Sequence, residues 1–298
     1  MMEFHVLGPG AIGSLFACHL QKAGFSTALI TRSPSEDARL ITLEENNPHQ
    51  ANTLETHGFK IHKSGPIQHL LVTVKAHQTE AALNSVAHRI TENTLIILLQ
   101  NGMGSWHVVE RLFPNTPCVL ATTTEGAYRA EDHHIVHAGR GTTWIGETTE
   151  QNRANALAHA WNNLDLAVEY DPNILARLWQ KLAINCAINP LTVLYDCCNG
   201  DLLTKNQALE DMERLCAEVE IVKHHVLKQS LNESLFEQAK TVANKTGSNV
   251  SSMLQDYRKG NPTEIEFITG YLVSKAKELG IDVPHNQRVL NAIREISF

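Results

Sequence analysis

The sequence lacks the features that mark membrane-spanning, secreted and nucleic-acid-binding proteins. None of its apolar runs approaches the ~20 residues that a membrane-spanning helix needs. The first residues contain no basic region ahead of an apolar core, so no secretory signal is expected and the predicted location is cytoplasmic. No block of five or more Lys or Arg occurs, and the formal net charge is −7. The electrostatic footprint of a nucleic-acid partner is therefore missing.

Cysteine is sparse and scattered, whereas histidine is abundant. The six cysteines form no C-x-x-C pair, which favours reduced, buried thiols. Among the 16 histidines, His133–His134 and His224–His225 are adjacent pairs. Two metal ligands on one helix face need a spacing of four residues instead. The sequence therefore predicts no metal site.

The chain is long enough for two domains, and its pattern changes near residue 170. Its 298 residues are 43% hydrophobic and 19% charged, as in ordinary globular proteins. Short apolar runs alternate with helical patterns in the first half, which predicts a doubly wound α/β sheet. Helical periodicity dominates from Asn173 onward, broken at Pro190 and at several glycines. We expect a Rossmann-type domain over 1–170 and an all-helical domain over 171–298.

The predicted elements of the first half can be given individually. The predicted strands are Phe4–Leu7, Thr27–Thr31, His69–Val74, Leu95–Leu99 and Cys118–Thr122. The predicted helices are Ala11–Ala23, Gln78–Arg89 and Met103–Leu112. Extra strands in an edge hairpin or meander are expected at Phe59–His62 and near Ile135–Ile145, whereas the polar segment Leu40–Thr56 has no clear pattern.

A glycine-rich turn follows the first predicted strand and opens the first predicted helix. It consists of Gly8, Pro9, Gly10, Ala11, Ile12 and Gly13, in the pattern G-x-G-x-x-G. In dinucleotide-binding proteins these glycines permit a tight turn, close approach of the pyrophosphate and close packing of helix on strand. The helix N-terminus adds N–H groups and the positive end of its dipole. We expect the turn to bind a dinucleotide.

The end of the second predicted strand favours NADPH over NADH. NAD enzymes of this type place Asp or Glu there to hold the ribose 2′-hydroxyl. Arg32 occupies that position here, and a guanidinium suits a 2′-phosphate. Glu36 and Asp37 lie nearby in sequence and keep NADH as an alternative.

Two polar residues follow later predicted strands, at the edge where open α/β sheets bind ligands. Lys75 could contact a phosphate or carboxylate, and Asn101 could hydrogen-bond the cofactor or the substrate. The alternatives are a surface lysine and an Asn-Gly turn.

Lys181, Asn185 and Asn189 form a polar stripe in an otherwise apolar helical segment. Their spacing of four residues places them on one helix face. A solvated stripe would contain more charge and fewer Asn, which is a poor helix former. The composition therefore favours a functional site, in which the ammonium polarises a ketone and donates a proton.

Glu264 has a structural interpretation from its local sequence. Asn261, Pro262 and Glu264 fit the N-cap, first and third positions of a helix start. On this interpretation Glu264 is a capping residue.

Taken together, the motifs resemble the ketopantoate reductase family. The matching segments, in order along the chain, are Gly8–Gly13, Val74–Ala76, Leu99–Gly104, Lys181–Thr192, Asn199–Gly200, Ser251–Asp256 and Thr263–Ile265. The resemblance implies a Rossmann domain joined to a helical domain, and reduction of 2-dehydropantoate to (R)-pantoate with NADPH in pantothenate and coenzyme A synthesis.

The resemblance also implies individual roles. Lys181 would be the general acid, and Glu264 the acidic partner that positions the lysine and the bound ligands, cofactor included. The other implied substrate contacts are Asn101, Asn185, Asn189, Asn199 and Ser252. The other implied cofactor contacts are Gly8–Gly13, Arg32, Lys75, Asn101 and the backbone of Ala127.

Two other functions stay open at this stage. The protein could act on another branched 2-keto acid, or it could be a non-catalytic NADP-binding sensor. The joint presence of Lys181, the Asn stripe, Ser252 and Glu264 disfavours a sensor, which would need only the Rossmann half. The sequence leaves the oligomeric state open, a homodimer included, since apolar faces of the last helices could be core or interface.

Overall fold

The computed structural model describes residues 2–32, 38–45, 52–61, 64–149, 152–228 and 233–296. The chain divides into two compact units. The N-terminal unit contains Met1–Gln100 and Ser105–Arg177, and the C-terminal unit contains Asn101–Gly104 and Leu178–Phe298.

The described part of the N-terminal unit contains eleven strands and four α-helices. The strands are β1 (Glu3–Leu7), β2 (Ser26–Ile30), β3 (Ala38–Glu45), β4 (Thr53–Ile61), β5 (His69–Val72), β6 (Leu95–Leu99), β7 (Cys118–Thr123), β8 (Gly126–Glu131), β9 (His134–Gly139), β10 (Thr142–Gly146) and β11 (Ala167–Tyr170). The helices are α1 (Ala11–Lys22), α2 (Thr79–Val86), α3 (Ser105–Leu112) and α4 (Arg153–Trp161), and short 3-10 helices flank α2 at Ala76–Gln78 and Ala87–Arg89.

All eleven strands join one sheet in the order β11-β10-β7-β6-β5-β1-β2-β4-β3-β9-β8. The strands β7, β6, β5, β1 and β2 are consecutive and parallel. Their nearly continuous burial explains why these segments of the sequence are mostly apolar. The chain order reverses between β1 and β5, the position where doubly wound sheets bind ligands. The predicted α/β fold class is confirmed.

The core of this unit is assembled around large aromatic side chains. Phe4 of β1, Phe16 of α1 and Trp161 of α4 are fully buried. The ring centroids of Phe4 and Phe16 lie 5.9 and 5.7 Å from that of Trp161. Because α1 also packs against β3, β8 and β9, the far edge of the sheet curls over this helix.

The structure corrects the predicted elements where strands are exposed. The patternless segment Leu40–Thr56 contains most of β3 and the start of β4, an antiparallel pair. The stretch Ile135–Ile145 divides into β9 and β10, which lie far apart in the sheet order. The expected edge hairpin is confirmed for β9, which pairs with β8 in an antiparallel hairpin at one end of the sheet, and is wrong for β10, which pairs with β7 and β11.

The C-terminal unit is helical throughout its described residues. Its α-helices are α5 (Ile174–Leu194), which begins just before the unit does, α6 (Asn206–Leu227), α7 (Leu235–Lys245), α8 (Ser252–Arg258), α9 (Thr269–Leu279) and α10 (Pro284–Ile296). Short 3-10 helices occupy Gly200–Leu203 and Ile265–Phe267. The expected break at Pro190 is wrong, because α5 continues through it to Leu194. Across the described ranges, no helix is both long and apolar enough to cross a membrane.

Candidate active site

The glycine-rich turn has the geometry of a phosphate-binding loop. Gly8 has a φ of +85°, and a side chain there would overlap Val74. A Cβ on Gly13 would overlap Thr73 and lie 2.8 Å from the Gly8 carbonyl oxygen. A Cβ on Gly10 would meet only that same oxygen, at 4.0 Å, among the described atoms. Gly8 and Gly13 are therefore required by the protein's own packing, whereas Gly10 leaves open space beside the backbone.

Hydrogen bonds from three elements hold this loop in place. The Thr73 hydroxyl donates to the Gly8 carbonyl at 2.8 Å. The Pro9 carbonyl accepts from Ser14 Oγ at 3.1 Å and from Arg129 Nη2 of β8 at 3.3 Å. The loop therefore keeps its shape although Pro9 has no N–H to donate.

The start of α1 suits an anion. Gly10 is its N-cap and makes no side-chain capping bond, and the first turn, from Ala11 and Ile12 onward, contains no acidic residue. The first N–H groups of a helix lack partners within the helix, and the dipole is positive there. The loop therefore fits a pyrophosphate.

The other predicted cofactor residues of this unit lie around the loop. Arg32 is exposed just beyond the end of β2, the parallel neighbour of β1. Lys75 directly follows Val74, which packs on Gly8, and is half-buried. Ala127 lies in β8, two residues before the Arg129 that binds the loop. The alternative acids Glu36 and Asp37 lie outside the described residues.

Asn101 belongs to the C-terminal unit by its contacts. In the same short segment, the Met103 N–H donates to the Phe267 carbonyl at 2.9 Å. Gly102 has a φ of +80°, and a Cβ there would lie 2.6 Å from that carbonyl oxygen. The turn that contains Asn101 is therefore tied to the 3-10 helix directly after Glu264.

Lys181 and Glu264 interact electrostatically within the C-terminal unit. Burial lowers the pKa of Lys181 to about 8, and the negative charge of Glu264 limits the decrease. Glu264 is only 4% exposed. The helix-start interpretation is wrong, because Glu264 precedes a 3-10 helix and α9 begins only at Thr269. A buried carboxylate beside a lysine whose pKa is near neutrality is suited to proton transfer.

The asparagine stripe lies on α5, and most of the residues around the stripe on this helix are buried. Asn189 is 8% exposed, and Asn185 is half-buried. The Thr192 hydroxyl donates to the Asn189 carbonyl at 2.7 Å and lies 2.6 Å from Ser251 Oγ. Since the proton of Thr192 goes to Asn189, Ser251 donates to Thr192. These bonds fix α5 against the start of α8.

Asn199 presents a buried acceptor. Its Nδ2 donates to Thr246 Oγ1 at 2.9 Å, and its N–H donates to the Asn249 carbonyl at 3.0 Å. Its Oδ1 is buried and makes no hydrogen bond to any described residue, and the same holds for Thr263 Oγ1. Orphaned buried polar atoms are costly unless a ligand completes them.

The two adjacent serines have different environments. Ser251 is the N-cap of α8, buried, and accepts from the Leu254 N–H at 3.1 Å. Ser252, the residue predicted to contact substrate, is exposed at the first position of α8. The sequence motif contains both serines, and only the packing separates the structural one from the accessible one. The anchoring roles of Thr192, Thr246 and Arg129 had no local signal, because their partners are distant in sequence.

The fold and these residues define a two-unit oxidoreductase with a Rossmann-type N-terminal unit. The profile described as "Ketopantoate reductase PanE/ApbA" matches residues 4–150, and the corresponding C-terminal profile matches residues 173–297. A relative from Vibrio cholerae named 2-dehydropantoate 2-reductase is 36% identical over 99% of this chain and 98% of its own. One of the same name from Yersinia pestis is 35% identical over 98% and 94%. The chain therefore belongs to the ketopantoate reductase family.

Solved structures share the fold over the full length. The PanE/ApbA family ketopantoate reductase from Ralstonia eutropha superposes with a TM-score of 0.86 at 24% identity, covering 99% of this chain and 98% of that one. D-mandelate dehydrogenase with NADH and anilino(oxo)acetate gives a TM-score of 0.88 at 21% identity, with the same coverage. A ketopantoate reductase from Staphylococcus aureus, described as dimeric, gives 0.85 at 21%, covering 99% of each chain.

Proposed function

We propose that this protein reduces 2-dehydropantoate to (R)-pantoate with NADPH, a step of pantothenate and coenzyme A synthesis. The observation that carries the proposal is the half-buried Lys181, whose pKa is lowered to about 8 and whose charge is favoured by Glu264, in a chain 36% identical over nearly its whole length to a 2-dehydropantoate 2-reductase. In this proposal residues 1–170 bind NADPH, and residues 171–298 bind the keto acid and catalyse its reduction.

The cofactor assignment depends on charges in the N-terminal unit. The uncapped start of α1 and the open space at Gly10 suit the pyrophosphate. The exposed guanidinium of Arg32 would bind the 2′-phosphate that distinguishes NADPH from NADH, with Lys75 as a second cation. When bound, the reduced nicotinamide supplies the hydride that converts the ketone carbon to an alcohol carbon.

The chain's own residues supply the proton and the orientation. Lys181 Nζ donates a hydrogen bond to the keto oxygen, stabilises the negative charge that develops there and transfers a proton to it. The Lys181 amine is then neutral and regains its proton from solvent. Glu264 favours the charged ammonium, which keeps a useful fraction of Lys181 protonated near neutral pH.

Amide and hydroxyl groups orient the substrate. Asn199 Oδ1 accepts a hydrogen bond from a substrate hydroxyl. This bond satisfies a buried acceptor that has no hydrogen-bond partner among the described residues. Asn185, Asn189 and Ser252 form the remaining polar surface, and Asn101 lies on the segment tied to the turn after Glu264.

The experiment is a comparison of cofactor oxidation with two keto acids and two cofactors. NADPH and NADH are each followed at the nicotinamide absorbance with ketopantoate and with 2-ketoisovalerate. We expect kcat/KM to be highest for ketopantoate with NADPH. Preference for 2-ketoisovalerate would reassign the substrate, and cofactor binding without turnover would indicate a sensor. Arg32→Ala should lower kcat/KM for NADPH and leave that for NADH nearly unchanged, and equal use of NADPH by the wild type and by Arg32→Ala would contradict the role of Arg32.

A further inference from the structure

A cluster of two histidines and one glutamate lies in the N-terminal unit, outside the residues of the proposed reaction. His19 is in the last turn of α1, Glu45 ends β3, and His137 is in β9. One ligand atom from each residue lies within 4.8 Å of the other two. The two histidines are 0% and 2% exposed.

The polar atoms of this cluster are incompletely satisfied. Neither ring nitrogen of His19 makes a hydrogen bond to any described residue, and the same is true of Glu45 Oε1. His19 Nε2 nevertheless lies 3.1 Å from Glu45 Oε1. Because a fully buried imidazole without hydrogen bonds is costly, the arrangement points to a missing partner that accepts lone pairs from both atoms. A metal ion is such a partner.

His137 is held by a second carboxylate. Its Nε2 lies 2.7 Å from Glu125 Oε2, and both side chains are 1% exposed. Carboxylates commonly orient metal-bound histidines in this way and add negative charge near the ion. Glu125 therefore supports the cluster without belonging to it.

Two cations also face the cluster, and both are on one side of it. Lys22 Nζ and Arg140 Nη2 lie 3.9 and 3.6 Å from Glu45 Oε2, and they have closer partners in Glu55 and Asp165. Since they approach Oε2, the other carboxylate oxygen stays directed to His19.

We propose that His19, Glu45 and His137 bind one late first-row divalent metal ion, of which Zn²⁺ is the representative. Two imidazoles and one carboxylate suit such ions, whereas Mg²⁺ and Ca²⁺ prefer oxygen ligands alone. Ligands at about 2.0–2.2 Å in tetrahedral geometry lie roughly 3.4 Å apart, so the side chains must close by about 1.5 Å at most.

The role of this metal site is structural. The ion would join the last turn of α1 to β3 and β9, the strands that curl over this helix. The opposite end of α1 begins directly after Gly10 of the phosphate-binding loop. Adjacent histidine pairs in the sequence did not indicate this site, because its ligands come from three different elements.

The test uses full-length protein stripped with a chelator and then titrated with Zn²⁺ against a chromophoric indicator. Co²⁺ serves as a spectroscopic probe of nitrogen ligation. Wild-type protein should bind one ion per chain, and its Tm should rise with added Zn²⁺. Glu45→Gln and His137→Gln each remove a direct ligand and should weaken binding by at least the tenfold to hundredfold that loss of an outer-shell partner costs.

A matched control separates this site from the many other histidines. His224 and His225 form an exposed neighbouring pair on α6, and the double variant His224→Gln/His225→Gln should retain full affinity. Glu45→Gln keeps the volume of a carboxylate at the edge of the cluster, so it tests ligation even where a histidine variant fails to fold. Zn²⁺ binding that is absent from the wild type, equal in Glu45→Gln, or lost only in the double variant overturns the proposal.

Discussion

The two units of this protein build their binding residues in opposite ways. In the N-terminal unit the candidate phosphate site is one run of six consecutive residues, Gly8–Gly13, so it is local in sequence. In the C-terminal unit the residues come from α5, the Asn199 turn, the start of α8 and the Glu264 turn, and long-range hydrogen bonds hold them. A backbone site can therefore be recognised from one motif, whereas a side-chain site depends on packing that no motif contains.

The largest effect should come from the C-terminal unit. Lys181→Ala should lower kcat by about 10²–10⁴-fold, because the developing alkoxide loses its proton donor. The dissociation constant of NADPH, measured by nicotinamide fluorescence, should change little. Lys223→Gln is the matched control, since Lys223 is also partly buried and its ammonium donates to Gln180 next to Lys181. A normal kcat in Lys181→Ala would contradict the proposed role of Lys181 as the proton donor.

Two alanine substitutions separate packing from binding in the N-terminal loop. Gly13→Ala should lower Tm, because its Cβ overlaps Thr73. Gly10→Ala should keep a normal Tm but weaken NADPH binding on the order of tenfold to a hundredfold, about 1.4–2.8 kcal/mol. Gly139→Ala, where a Cβ meets no described atom within 4 Å, is the control for both. Unchanged NADPH binding in Gly10→Ala would contradict the phosphate-binding role.

Asn199→Ala should weaken substrate use by about tenfold to a hundredfold in kcat/KM, mainly through KM. The estimate corresponds to roughly 1–3 kcal/mol for losing a buried hydrogen bond to substrate. Thr246→Val removes the anchor of Nδ2 but keeps Oδ1, so its effect should be smaller. Steady-state kinetics with ketopantoate measures both variants. An equal loss of kcat/KM in the two variants would show that Asn199 acts by holding its own turn in place and not through a hydrogen bond from the substrate to Oδ1.

The smallest effects should distinguish the adjacent serines of α8. Ser251→Ala should lower the free energy of unfolding by about 1–2 kcal/mol, because the helix loses its N-cap and Thr192 loses a donor. Ser252→Ala should leave the free energy of unfolding within about 0.5 kcal/mol and raise the KM for substrate. Denaturant unfolding with kinetics on the same samples measures both. The reverse pattern would exchange their roles.

The sequence predicted the buried half of the sheet well. The strands β1, β2, β5, β6 and β7 are short, mostly apolar segments, and their observed bounds lie within one or two residues of the predicted ones. Burial on both faces leaves a strong signal. The strand β3 lies third from the β8 end of the sheet and is buried only at Ile41 and Leu43, so its sequence resembled a polar segment.

Other elements escaped prediction because tertiary contacts outweigh local rules. Pro190 would end an isolated helix, yet α5 continues to Leu194, and the Thr192 hydroxyl binds a carbonyl of this turn. Glu264 follows a convincing capping pattern, but the chain turns into a 3-10 helix that buries its carboxylate. For the candidate site, the motifs mark the segments, and the hydrogen-bond partners of each side chain are visible only in the packed structure.

The most direct measurement is the pH dependence of kcat/KM for ketopantoate in wild-type protein and in Glu264→Gln. The proton donor must be charged, and the pKa of Lys181 is lowered to about 8, so activity should be full below that pH and fall as the pH rises through it. Removing the charge of Glu264 should shift the midpoint to lower pH, because that charge favours the ammonium. A profile with no decline between pH 7 and 9, or one that Glu264→Gln leaves in place, would contradict the assignment of Lys181 as the acid.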